Sequence, residues 1–206
     1  MELTSNQSDA LTELINIGYG RAAGAMSELT GYRITLEVPQ VSMHEAQDLG
    51  PMLEKMLGGE IVGVNQRFSG SLSGTALLLL DEPSALALSR LLTDERSVAR
   101  DLDSNAKEII TEVGNILLNA CLGVFGNLLQ ISVAFNVPIL EVGDVPRVLD
   151  SVANRSEEKL RYGLMIHTRF HAKTENVTGY LVIVLGIDSL DRLLQEVENW
   201  ENRQLR

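Results

Sequence analysis

Residues 9–39 read DALTELINIGYGRAAGAMSELTGYRITLEVP, and residues 108–138 read EIITEVGNILLNACLGVFGNLLQISVAFNVP. Laid over one another at an offset of 99 positions, they share eight of 31 residues: Thr12/Thr111, Glu13/Glu112, Asn16/Asn115, Ile17/Ile116, Gly24/Gly123, Leu29/Leu128, Val38/Val137 and Pro39/Pro138. Average residue usage would give only about two matches. Other positions are conservative, such as Leu14/Val113 and Ile34/Val133. The same offset lays Glu60–Ser69 over Lys159–Thr168, and a slightly larger one pairs Ser73-Gly74-Thr75 with Thr178-Gly179-Tyr180, which lengthens the second hairpin loop. The charged stretch Asp94–Ser104 lies between the halves. The chain therefore reads as two copies of one unit, about residues 8–93 and 104–198, packed about a pseudo-twofold axis into a single domain over residues 1–206. Two separate domains of about 100 residues are the alternative.

Each copy spells the same order of elements. Ser8 or Asp9 can cap a helix running through Glu13 to Thr30, with Gly31 just past its end. Tyr32–Val41 reads as a strand with Pro39 near its far end, where a missing N–H is cheapest. A short helix over Asp48–Leu57, a hairpin of Glu60–Ser69 and Ser71–Leu80 turning at Gly70, and a helix over Pro83–Leu92 follow. The second copy gives a long helix over about Ser104–Leu129, a strand Ile131–Pro138 and a short helix near Val145–Ala153. Strands Lys159–Phe170 and Val177–Leu185 come next, then a helix from Ile187 or Asp188. The expected class is α/β of the α+β type: a mixed, largely antiparallel six-stranded sheet with two long helices.

Composition narrows the function. The 206 residues are 45% hydrophobic and 22% charged, enough apolar material for a core and unlike a disordered or disulfide-stapled chain. A net charge of -11 with no Lys/Arg cluster disfavours a nucleic-acid partner. The single cysteine, Cys121, forms no internal disulfide and fits a reducing, cytoplasmic setting. The N-terminal MELTSNQSDA lacks the basic and apolar regions of a signal peptide. The most apolar stretch, Ile109–Leu129, is interrupted by Glu112, Asn115, Asn119 and Asn127, so it reads as a core helix and no membrane partner is expected.

The repeated polar positions carry the chemistry. Glu13 and Asn16 stand three apart, as do Glu112 and Asn115, so each pair projects a carboxylate and an amide from one helix face. A lone E-x-x-N is usually a solvated helix surface. Here it recurs in both halves, keeps a poor helix former twice, and is followed each time after 22 residues by Pro39 or Pro138. Other candidates are weaker. Gly18-Tyr-Gly20-Arg-Ala-Ala-Gly24 has the wrong spacing for a dinucleotide loop and no preceding strand; its glycines fit close helix or sheet approach. His167 and His171 could share a metal, but no third ligand accompanies them. Cys121 has no histidine near it in sequence, and the acidic run Glu196–Glu201 reads as an exposed helix end.

The pattern Asp9-x-x-x-Glu13-x-x-Asn16-x22-Pro39 resembles the signature of the CheC/CheX/FliY family of chemotaxis response-regulator phosphatases. LTELINIGYGRAAGAMSELTG and EIITEVGNILLNACLGVFGNLL are similar to that family's first and second site helices, and two complete copies match its two-site CheC type. The second copy opens with Glu108 where the family usually has Asp or Ser. The resemblance implies hydrolysis of the aspartyl phosphate of a CheY-like receiver. Asn16 and Asn115 would orient the attacking water, and Glu13 and Glu112 would pair with the receiver lysine. It places Asp9, Glu108, Pro39 and Pro138 in partner positioning. It implies no cofactor or metal on this chain, since Mg²⁺ belongs to the receiver. It also admits a CheD-type deamidase as partner, and a non-catalytic adaptor as the alternative function.

Overall fold

The computed structural model describes residues 3–92, 102–155, 160–172 and 175–204. Most of the charged stretch between the halves lies outside the described residues. The first long helix, α1 (Ser5–Thr30), starts earlier than its spacing predicts because Thr4 and Gln7 form a capping box. The Thr4 hydroxyl accepts from the Gln7 N–H at 3.2 Å, and the Thr4 N–H donates to Gln7 Oε1 at 3.0 Å. Its end falls where expected, at Gly31 with φ 69°. Leu11, Leu14, Ile15, Gly18, Tyr19, Ala22 and Met26 form its buried stripe.

The chain continues through β1 (Ile34–Glu45), α2 (Ala46–Leu57), β2 (Ile61–Gly70), β3 (Gly74–Asp81) and α3 (Glu82–Leu92). The second half follows with α4 (Ser104–Leu129), β4 (Val133–Phe135), β5 (Ile139–Gly143), α5 (Val145–Arg155), β6 (Tyr162–Ala172), β7 (Glu175–Leu185) and α6 (Ile187–Gln204). All pairings are antiparallel, in the order β1-β6-β7-β3-β2-β4, with β5 continuing along β2. Strands from the two halves of the sequence are thus interleaved.

Two expectations are corrected. Pro39 lies inside β1, not near its end, because the strand runs on to Glu45. β1 is an edge strand whose register shifts between Glu37 and Gln40, and a bulge on an edge is where a residue without an N–H is tolerated. The corresponding strand of the second half is cut in two around Asn136, Val137 and Pro138, so the described residues form a sheet of seven strands and not six. There the Asn136 N–H donates to the Arg67 carbonyl, while the Asn136 carbonyl accepts from the Gln66 side chain, and Pro138 has no N–H to continue the ladder.

Strand alternation separates two cores. Ala76, Leu78 and Leu80 of β3, with Leu181, Ile183 and Leu185 of β7, face α1, α3, α4 and α6. Leu77 and Leu79, with Val182 and Val184, face α2 and α5. The unbroken apolar run of β3 follows from burial on both faces. Helix α4 is long and apolar enough to cross a membrane by length and composition, but Ile110, Val113, Leu117, Leu118, Cys121 and Phe125 are buried in the larger core.

The two long helices touch. A Cβ on Gly18 would lie 2.9 Å from Cys121 Cα and 3.3 Å from the Ala120 carbonyl oxygen, so α1 and α4 meet backbone to backbone at this point. Of the glycines in that segment only Gly18 serves close approach, since Gly20 and Gly24 face open space. Gly18→Val is expected to force the helices apart and cost about 2 kcal/mol or more, read as a lowered urea midpoint; an unchanged midpoint would contradict this packing.

Candidate functional site

The buried stripe of α1 leaves Asp9, Glu13 and Asn16 on the opposite side, and all three are exposed. On α4 the same periodicity exposes Glu108 and Glu112, while Asn115 is half-buried. Both acid–amide pairs are therefore carried outward on helices that pack against one another and rest on the same sheet face. Helix α1 is pinned to β6 by Tyr19, whose hydroxyl shares a hydrogen bond with Thr168 Oγ1 in the core. Burial pushes the Tyr19 phenol up, so this anchor is uncharged. Pro138 is half-buried between β4 and β5; Pro39 is placed only through its strand.

The two pairs have different surroundings. Among the described residues the Asn16 side chain makes no hydrogen bond. Asn115 Oδ1 accepts from Asn119 Nδ2 at 2.6 Å, and Asn119 Oδ1 accepts from Gln66 Nε2 at 3.1 Å. Gln66 Nε2 also donates to the Asn136 carbonyl at 2.9 Å, joining the second pair to the segment that leads to Pro138. That segment exposes Phe135, Val137 and Ile139 to solvent, with Val137 82% exposed. A groove of about 400 Å³ lined by Asn65, Arg67, Asn136, Val137 and Ile139 opens beside it. A cavity of about 410 Å³ between α2 and α5 lies on the other face of the sheet, away from both pairs.

Sequence reading missed Asn119, Gln66 and the exposed apolar segment. The i, i+4 spacing of Asn115 and Asn119 was a visible signal. Gln66 could be found only through folding, since 53 residues separate it from Asn119. The weaker candidates separate cleanly. His167 and His171 both lie on β6, where four residues span about 13 Å, too far for one metal ion. His167 stacks on Tyr180 with ring centroids 5.0 Å apart, and burial followed by the charge of Arg169 lowers its pKa. His171 Nε2 lies 3.4 Å from Glu37 Oε2. Cys121 is fully buried, and burial pushes its thiol well up, which removes the thiolate a nucleophile requires.

The sheet is thus covered by helices on both faces, with two outward acid–amide pairs on adjoining helices, and this fold is shared by known proteins. The profile of the CheC-like family matches residues 7–43, which span the first pair and Pro39. The CheY-P phosphatase CheC of Bacillus subtilis is 23% identical over 199 residues, covering 93% of this chain and 93% of that protein. The crystal structure of Thermotoga maritima FliY superposes with a TM-score of 0.78 at 19% identity, over 97% of this chain and 100% of that one. The FliM middle domain from H. pylori shares the fold at a TM-score of 0.64 and 9% identity, over 94% and 99% of the two chains. The chain thus carries a CheC-like match over residues 7–43, is similar over nearly its whole length to a CheY-P phosphatase CheC, and shares the fold of FliY.

Proposed function

We propose that the chain is a chemotaxis phosphatase that hydrolyses the aspartyl phosphate of a CheY-like receiver domain, working in the cytoplasm. The observation that carries the reading is the outward placement of Glu13 with Asn16 and of Glu112 with Asn115 on packed helices. The name of the B. subtilis relative supports the substrate class. Nothing in the geometry favours a deamidase partner.

The chemistry asks little of the enzyme. An acyl phosphate held by the receiver's Mg²⁺ and lysine is already polarised, so hydrolysis is limited by placing a water in line with the phosphorus–oxygen bond. A carboxamide has both donors and an acceptor, and can hold a water on two sides without becoming charged. Its contribution is orientation: a loosely held water becomes an aligned one. The carboxylate three residues earlier in each pair meets the receiver lysine and fixes the docked register. An exposed helix is suited to this because it can enter the other protein's pocket, whereas a concave site cannot.

The assay is decay of a phosphorylated receiver with and without the chain. Replacing both acids, Glu13→Gln with Glu112→Gln, is expected to raise KM about tenfold while kcat changes less than threefold, because the acids hold the partner and do not act on the water. A fall in kcat at unchanged KM would contradict this division of roles.

A further inference from the structure

We propose that Asn119 and Gln66 are positioning residues for Asn115, holding its carboxamide in one orientation through a relay anchored on the Asn136 backbone carbonyl. The proposal rests on the phosphatase reading and adds two residues to it.

An amide side chain can sit either way round, and only its partners decide which end is nitrogen. Here one backbone atom decides for all three. A carbonyl can only accept, so the end of Gln66 at 2.9 Å from the Asn136 oxygen must be Nε2. That same nitrogen donates to Asn119, so the Asn119 atom facing it is Oδ1. The other end of Asn119 is then Nδ2, which donates to Asn115 Oδ1 at 2.6 Å. The orientation of Asn115 is thereby set from the sheet. Its two Nδ2 hydrogens and one Oδ1 lone pair stay available, the complement needed to hold a water that keeps a lone pair for phosphorus. Without the relay the half-buried amide could flip or turn, and only part of its population would be competent.

The fold does not ask for these polar residues. Gln66 is 2% exposed, and its Oε1 is buried with no partner among the described residues, a cost an apolar side chain would avoid. At the offset of 105 that lays β3 over β7, Ala76, the cross-strand partner of Gln66, lies over Leu181, whose partner on β6 is Ile166; at the offset of 99 Gly20 stands at the position of Asn119. Ile166 is fully buried in the larger core, the one that Gln66 also faces, so the equivalent strand position accepts an apolar residue. The relay accordingly serves the second pair alone.

The test uses a CheY-type receiver phosphorylated with acetyl phosphate and the full chain carrying Asn16→Ala, so that only the second pair acts. Gln66→Met and, separately, Asn119→Ala are expected to lower kcat about five- to tenfold, the worth of one orienting hydrogen bond, with KM within twofold. The urea midpoint of Gln66→Met is expected to stay level or rise, since an unpartnered buried oxygen is removed. In chains carrying Asn115→Ala instead, the same substitutions are expected to change the remaining first-pair rate less than twofold. Unchanged kcat in the Asn16→Ala chain would overturn the relay. So would an equal loss in both backgrounds, which would mark general structural damage. If Asn16→Ala alone is already as slow as the chain lacking both asparagines, catalysis at the second pair itself is refuted and the relay falls with it.

Discussion

With both asparagines replaced, Asn16→Ala plus Asn115→Ala, the acceleration of receiver dephosphorylation is expected to fall by about a hundredfold or more, while each single variant keeps part of it. The size follows from what misalignment of a reacting group costs when positioning is the main contribution. The fold should survive. Asn16 is exposed and makes no side-chain hydrogen bond among the described residues, and Ala is the better helix former by several tenths of a kcal/mol. Asn115→Ala removes the acceptor of Asn119, but Asn119 is only half-buried and water can replace the lost partner. Circular dichroism and urea midpoints near those of the parent, together with lost activity, would assign the asparagines to chemistry. Retained activity in the double variant would refute that assignment.

Cutting the chain between its halves has the larger effect on structure. We propose that the two halves form one folding unit, so residues 1–93 or 104–206 expressed alone are expected to lack cooperative unfolding and dispersed amide signals, and to recover both when mixed. Among the described residues β1 has β6 of the other half as its sole strand partner, and β4 and β5 have β2. Separation leaves these strands with no ladder and also uncovers the apolar stripes of α1 and α4. The central pairing supports the proposal. At the offset of 105 that lays Ser73 over Thr178, Leu77 lies over Val182, and those two residues face each other across β3 and β7. On either side of that pair the same offset exchanges the neighbours: Ala76, which faces Ile183, lies over Leu181, and Leu78, which faces Leu181, lies over Ile183. A sigmoidal urea transition in either half alone would contradict the single unit.

Much of this architecture could be read from spacing. The apolar positions of α1 recur every three or four residues, which determines that Asp9, Glu13 and Asn16 share the outward side. Gly31 and Asp103 mark helix ends by local chemistry alone, the first with a left-handed backbone and the second by accepting from the Ala106 N–H at 2.8 Å. What escaped depends on residues distant in sequence. The break at Pro138 is completed by Gln66 taking the Asn136 carbonyl, a contact between positions 70 apart. The bulge in β1 is defined only against β6, across more than 120 residues. The environment of Asn115 was hidden for the same reason: its neighbour Asn119 is local, but the anchor behind it is on another element.

The most direct measurement is turnover: a phosphorylated CheY-type receiver in large excess, with phosphate release followed against time after adding the chain at a few per cent of its concentration. The account predicts that each molecule releases many phosphates and that the rate scales with the amount of chain added. Decay no faster than that of the receiver alone, or an effect that stops at one phosphate per molecule, would leave only a binding protein and contradict it.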